Sequence, residues 1–570
     1  MAYKMPSRSL FSPAFSLSTL SSLRLRSAAS TFHRSGASGL CTQHIRPRSL
    51  FPPTLSPFSC SRRAALSSNT RPVTAMEVEL TAPNGKKWSQ PLGLLINGEF
   101  VKSSNEQKIT SINPSTEEEI CSVFAATADD VDLAVEAARK AFKDPSWKGL
   151  SGTQRGELMI KLAGLVEKNA EILATVEALD NGKPYNTALN EDIPEVVNVL
   201  KYYAGYADKN FGQVIDVGPS KFAYTLKQPL GVCGQIIPWN FPLAMAGWKL
   251  GPALCCGNTV VLKLAEQTPL SMLVMGKLIK EAGFPPGVVN VINGHGREAG
   301  AALVKHLGVD KIAFTGSTAT GKVIMKMASE TLKNITLETG GKSPLIVFED
   351  ADLDLAATWS HIGIMSNQGQ ICTATSRVLV HEKIYDEFIA KFKSTVQKVS
   401  VVGDPFEETT FQGPQVTKAQ YDQVMSYIQA AKDEGATIAL GGDPAPQKGK
   451  GFFINPTMFT DVKRDMRIFK EEIFGPCVSV IRFKDEAEAI ELANDTTYGL
   501  GAALFTRNLT KAHRVAAEIE AGMVWINSSN DSDVRVPFGG VKQSGIGREL
   551  GEAGLSSYYN IKSVHLNMDS

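Results

Sequence analysis

Between residues 231 and 348 the sequence switches repeatedly between two periodicities, and that alternation restricts the fold more than any other feature of the chain. GVCGQIIP, NTVVLKL, VVNVIN, KIAFTG and PLIVFE are short runs rich in β-branched residues. Helical stretches such as LAMAGWKLGPALCCG and PLSMLVMGKLIKEAG lie between them, the second stopping at Gly283 with prolines following. Strands separated by helices pair in parallel, and a parallel sheet is covered on both faces by its crossover helices. The expected class is therefore α/β, doubly wound, with ligands at the carboxyl ends of the strands.

The flanking regions read in the same terms. LLINGEFVK, residues 94–102, predicts a hairpin about its NG turn. Thr127 and Asp130 have capping-box spacing, and Val131, Val135, Ala138 and Phe142 follow at helical intervals. Further helices fit residues 155–180 and 193–211. Residues 213–228 read as two strands about a GP turn with few apolar neighbours; an isolated hairpin is marginal in water, so this one should join another sheet, in this chain or another subunit. The C-terminal SSYYNIKSVHLNM reads as one more strand. A second α/β region follows residue 377, with strands in RVLVHEKIY, ATIALGG, FFINPTMFTDV and CVSVIRF.

Composition excludes several classes. The 59 basic and 58 acidic residues of the 570 balance, which gives no reason to expect a nucleic-acid partner. Eight cysteines without a CxxC pair or a Cys/His ligand spacing argue against a disulfide scaffold and against a metal site. No apolar run is long enough to insert across a membrane. Residues 1–75 are rich in Arg, Ser and Pro and contain no Asp or Glu, the composition of a mitochondrial transit peptide. The alternative is a cytoplasmic form initiated at Met76, where acidic MEVE begins.

Several short segments carry candidate chemistry, each with an ordinary structural alternative. Cys372 sits in GQICTATSR, a small, polar, turn-rich setting that suits an accessible thiolate nucleophile; the alternative is a buried free cysteine. KIAFTGSTATGK runs from strand to helix, with Gly316 and Ser317 where free N–H groups could meet a pyrophosphate. Its P-loop likeness ends at Val323, where a metal-binding Ser or Thr is required. Lys263 and Glu266 follow a strand end, where a carboxylate accepts two ribose hydroxyls, or form only a solvated charged loop. Asn240, between Trp239 and Phe241, is either an oxyanion donor in an aromatic pocket or a turn residue. Glu338, before two glycines, is either a general base of raised pKa or a surface acid. Glu472 and Phe474 in EEIFGP suit a second ribose contact and a ring against a flat cofactor, or ordinary packing.

Taken in order, Cys372, Glu338, Asn240, Lys263, Glu266, the GSTATG turn, EEIFGP and PFGGVKQSG resemble the NAD(P)-dependent aldehyde dehydrogenase family from about Met76 to the C-terminus. The resemblance implies an NAD-binding domain over 76–211 and 230–340 and a catalytic domain over 341–540. It also implies an oligomerisation arm over 212–229 and 541–570, and homodimers or homotetramers. It assigns catalysis to Cys372, Glu338 and Asn240, and cofactor contacts to Ile237, Pro238, Trp239, Lys263, Glu266, Gly316, Ser317, Glu472 and Phe474. Phe241, Met245, Trp248 and Phe538 should line the substrate channel. Ser366 and the polar run SSNDSD at 528–533 depart from the apolar family pattern and imply a wider or more polar entrance. The implied reaction is oxidation of a broad range of aliphatic aldehydes to acids with NAD+, through a thiohemiacetal and thioester on Cys372 that is hydrolysed with Glu338 as general base. The alternatives are a CoA-acylating relative, a dehydrogenase specific for amino- or semialdehydes, and a catalytically silent binding member. The glutamate and cysteine argue against the first and last of these.

Overall fold

The computed structural model describes residues 76–447 and 449–569, so the leader reading lies outside the described residues. Two open sheets carry the architecture. The first has eight strands, in the order Gly545–Ile546, Asn334–Glu338, Lys311–Thr315, Val232–Ile236, Thr259–Lys263, Val289–Ile292, Leu94–Ile96 and Glu99–Val101. Its five central strands are parallel, and antiparallel strands close both edges. Four of the five central strands are buried at every residue because helices cover both faces, and Asn334–Glu338 is buried over its last three. Helix Pro242–Cys255 is buried at every residue, and helix Leu270–Ala282 ends on left-handed Gly283. The NG turn falls as expected, with Asn97 and Gly98 both at positive φ (52° and 79°). Thr127 caps helix Ala128–Lys143 with both bonds of the capping box.

The second sheet has seven strands, in the order Thr437–Leu440, Thr457–Thr460, Cys477–Phe483, Arg377–His381, Pro344–Val347, Gly501–Phe505 and Met523–Ile526. All pair in parallel except Thr437–Leu440. PLIVFE, read as one run with the strands before it, belongs to this second sheet. The chain crosses between sheets in the loop 339–343, and β-branched composition carries no label for which sheet a strand joins.

The third sheet pairs Tyr559–Asn567 with Lys221–Pro229, and Lys221–Pro229 with Val214–Ile215. The assignment of all of 541–570 to an oligomerisation arm needs correction. Gly545–Ile546 extends the first sheet, and Leu550, Leu555 and Tyr558 pack into that sheet's core. Only Tyr559–Asn567 reaches the three-stranded sheet, because the glycine-rich approach folds back along Asn334–Glu338 before the chain leaves.

Candidate active site

In the first sheet the chain adds strands outward from Val232–Ile236 in one direction and then, from Lys311–Thr315, in the other. Connections leave these two neighbours toward opposite faces, which opens a crevice at their carboxyl ends. A cavity of 1060 Å³ lies there, lined among others by Trp239, Asn240, Gly316, Glu338, Cys372 and Glu472. Residues from both sheets meet in it.

Asn240 follows strand Val232–Ile236 and immediately precedes helix Pro242–Cys255. Its side-chain amide donates one hydrogen bond to Gln370 O (2.9 Å) and has a second N–H to offer the cavity. The loop is held by other amides. Asn181 Nδ2 donates to Trp239 O (2.7 Å), and Asn367 Nδ2 donates to both Asn240 O and Gln370 O (3.2 Å each). The result is a buried donor of fixed direction, the property an oxyanion site requires.

Cys372 comes two residues after Gln370, in a turn that puts Asn367 and Gln368 in the left-handed region at φ 47° and 58°. Such strain persists only where surroundings over-determine it. Here Gln368 Nε2 donates to Gly182 O and Pro414 O (3.2 Å each), and Val416 N–H donates to Gln370 Oε1 (3.1 Å). Burial pushes the Cys372 thiol up to about 12, with the Glu472 and Glu338 carboxylates adding to the shift. Its sulfur therefore holds its proton at neutral pH and needs a base to release it.

Glu338 ends strand Asn334–Glu338 and is 3% exposed. Neither carboxyl oxygen has a hydrogen-bond partner among the described residues. Burial holds its carboxyl well above the usual range; Glu549 raises it further, and Lys249 and Arg548 oppose. The Cys372 shift registers Glu338 directly, so acid and sulfur are electrostatic neighbours.

The candidate cofactor residues divide. Pro238, Trp239, Gly316, Ser317, Glu472 and Phe474 line the cavity. Ser317 caps helix Thr318–Ala328 by accepting from Thr320 N–H. Gly341 N–H donates to Glu472 Oε1 (3.1 Å), and a Cβ at Gly340 would come within 2.0 Å of Glu472 Oε2, so the paired glycines make room for this carboxylate. Burial pushes Glu472 up to about 7. Phe474, at φ 58°, turns its ring edge-on to Trp239 at 5.3 Å. Lys263, Glu266 and Ile237 lie outside the cavity lining, grouped at the end of strand Thr259–Lys263. Lys263 pairs with Glu266 at 3.0 Å, and Ile237 N–H donates to Lys263 O. Burial opposes the charge of Glu266, yet Lys263 holds its carboxyl below the usual range. Phe241, Met245, Trp248 and Phe538 all line the cavity, with Trp248 edge-on to Phe538 at 4.8 Å. Ser366 and residues 530–533 line it too.

The sequence profile of the aldehyde dehydrogenase family matches residues 100–564. The chain belongs to the aldehyde dehydrogenase family. It is 55% identical over 493 residues to an aldehyde dehydrogenase of Alternaria alternata, covering 86% of this chain and 98% of that one. It is 51% identical to human retinal dehydrogenase 2, covering 83% and 91%. Among solved structures it superposes with TM-score 0.82 on the NAD+ complex of a Bacillus cereus aldehyde dehydrogenase, at 50% identity and covering 84% and 96%.

Two buried charges in this aldehyde dehydrogenase escape a reading of its motifs. Lys249 Nζ donates to Glu549 Oε1 (2.5 Å) and Thr315 Oγ1 (2.6 Å), and both charges lie beside Glu338. A lone lysine inside the apolar LAMAGWKLGPALC was the available signal, since lysine is almost never fully buried without a partner. Glu549 had no such signal within its glycine-rich loop. The amides of Asn181 and Asn367 were likewise silent, because their partners lie 58 and 127 residues away.

Proposed function

We propose that this enzyme oxidises unbranched aliphatic aldehydes to carboxylic acids with NAD+, through an acyl group carried on Cys372. The observation that carries the reading is the convergence of Cys372, Asn240 and Glu338 on one cavity at the reversal point of the first sheet.

The residues present fit NAD+. Ser317 opens a helix of 11 residues, whose free N–H groups suit a pyrophosphate. The Lys263–Glu266 pair offers a charged carboxylate for the two adenosine ribose hydroxyls, and that carboxylate would repel a 2′-phosphate. Glu472 has a second oxygen beyond the one that Gly341 binds, for the other ribose. Phe474 and Trp239 offer ring faces nearby. NAD+, when bound, supplies the hydride acceptor.

The protein's own groups do the rest. Cys372 gives its thiol proton to a water in the cavity, its thiolate adds to the aldehyde carbon, and the free N–H of Asn240 with the Cys372 backbone N–H donates to the oxygen that takes up the carbonyl electron pair. Glu338, raised by burial, takes a proton from the water that releases the acid. That carboxyl supports hydrolysis over transfer to CoA, and with Cys372 it argues against a silent member. Phe241, Met245, Trp248 and Phe538 exclude water from an apolar chain. The test is NADH formation across a panel of short aldehydes with analysis of the product. Free acid without CoA is expected; no turnover of any unbranched aliphatic aldehyde rejects the proposal.

Two further readings belong here. Val214, Phe222, Leu226 and Leu566 are exposed on one face of the three-stranded sheet, a face suited to a second copy in a homodimer or homotetramer; light scattering tests it. Mitochondrial import rests on the leader's composition, and N-terminal sequencing of the protein from its own cells tests it.

A further inference from the structure

We propose that Lys342 is a positioning residue for the cofactor: its buried amino group is the counter-charge that lets Glu472 meet NAD+ as a carboxylate. The inference rests on the reading of Glu472 above as a ribose contact and adds the group that stands behind it.

Lys342 follows the paired glycines at the crossing between the two sheets and is 1% exposed. Its Nζ has no hydrogen-bond partner among the described residues. Lysine is almost never fully buried without a partner, so a bare amino group here needs a reason. Its main chain has one. Arg377 Nε donates to Lys342 O (2.9 Å), while the Arg377 Nη atoms go to the carbonyls of Leu492 (2.9 Å) and Ala493 (2.8 Å). Those bonds fix the backbone of Lys342 and leave its side chain unexplained. Glu472 lies beside it: Gly341 N–H donates to Glu472 Oε1 (3.1 Å), and Gly340 leaves room for the rest of that carboxylate. Lys342 is the cation that acts on Glu472 there. The other ribose carboxylate has the same arrangement in closer form, with Lys263 at 3.0 Å from Glu266.

The other groups facing this pair have their own partners or stay neutral. Glu471 is bound by Tyr427 (2.9 Å) and Arg467 (3.1 Å). Burial pushes the Cys477 thiol beside Lys342 up to about 12, and likewise the Cys372 thiol and the Tyr498 phenol beside Glu472. Glu472 and Lys342 are different. Burial pushes the Lys342 ammonium down to about 7, with Arg377 adding to the shift, and pushes the Glu472 carboxyl up to about 7. Near neutral pH the two therefore hold one proton between them. Ribose hydroxyls that donate to Glu472 favour its charged form. The proton then resides on the Lys342 nitrogen, and binding draws none from solvent and releases none to it. Without Lys342 the same proton has to leave the protein.

The test is NAD+ binding by titration calorimetry from about pH 6 to 8, in buffers of different ionisation enthalpy so that released protons are counted. Lys342→Met keeps the length of the side chain and removes the charge. Near pH 7 it should release up to about one proton more than the unmodified enzyme, and its Kd should tighten by up to about tenfold per pH unit as Glu472 ionises. Adding Glu472→Gln should abolish the extra proton. Weakening that is equal at every pH, with no added proton, would mark Lys342 as a packing residue and overturn the proposal; so would unchanged binding. Lys342→Gln repeats the measurement, and failure of both variants to fold would assign Lys342 to the fold alone and overturn it too. If Glu472→Gln by itself binds NAD+ as the unmodified enzyme does, the ribose contact falls, and the proposal with it.

Discussion

Asn240 and Glu338 follow or end strands of the same sheet and face the same cavity, but the protein treats them oppositely. Asn240 is held on every side. Its amide bonds to Gln370 O, its carbonyl accepts from Asn367, and the residue before it accepts from Asn181. Glu338 is held far more loosely: neither oxygen has a hydrogen-bond partner in good geometry, and burial and charge outweigh the backbone of Gly540 in setting its carboxyl. A donor for a developing oxyanion gains from a direction set before the reaction. A base gains from a raised pKa, which hydrogen bonds to its charged form would cancel. The two regions show one sheet supplying rigidity at one strand end and a loosely held carboxyl two strands away.

The largest expected effect tests the unheld side. Glu338→Gln should slow steady-state turnover by about two to four decades. Single-turnover NADH release should survive, since the water step comes last; loss of both phases alike would assign Glu338 to an earlier step. Asn240→Ala should cost about two to three decades, in the first phase as well as the steady state, with NAD+ binding intact. Unchanged turnover would end the oxyanion role.

A smaller effect probes the amides that hold Asn240. Asn367→Gly keeps the left-handed backbone without strain and loses the bridge from Asn240 O to Gln370 O. We expect about a tenfold fall in kcat with the unfolding midpoint little changed. Combined with Asn240→Ala the two losses should be less than additive, because both act through one amide.

The smallest effect is on stability. Glu177 accepts from Leu243 N–H at the start of the helix that follows Asn240, and burial pushes its carboxyl from 4.5 up to about 7. Between those values the native state holds a proton that the unfolded chain has lost. Stability contributed by this group is therefore present below about 4.5 and lost as pH rises through about 7. Glu177→Gln should flatten that decline in thermal unfolding midpoints; an unaltered slope would show that the carboxyl does not titrate there.

Much of the frame was legible from residues alone. The NG turn, the Thr127 cap and the Gly283 stop depend on neighbours within a few positions, and local chemistry is what sequence patterns record. Cys372, Glu338 and Asn240 were legible as candidates, and resemblance to the family joined them. The apolar half of the cavity followed from Phe241, Met245, Trp248 and Phe538, and Ser366 and SSNDSD pointed to its polar half. Lys249, Glu549, Asn181 and Asn367 were less legible, as was the return of Gly545–Ile546 to the first sheet. Each takes its role from a partner dozens or hundreds of residues away.

The sequence by itself determined the layered α/β class, because alternating periodicities leave a parallel sheet no other way to bury its two faces. It also determined the family, through motifs whose order and spacing recur together. Tertiary structure alone decided which strands share a sheet, which amides fasten Asn240, and that Glu338 lies without a hydrogen bond beside Lys249 and Glu549. Those outcomes depend on desolvation and on hydrogen bonds between distant segments, and neither quantity exists until the chain has closed around them.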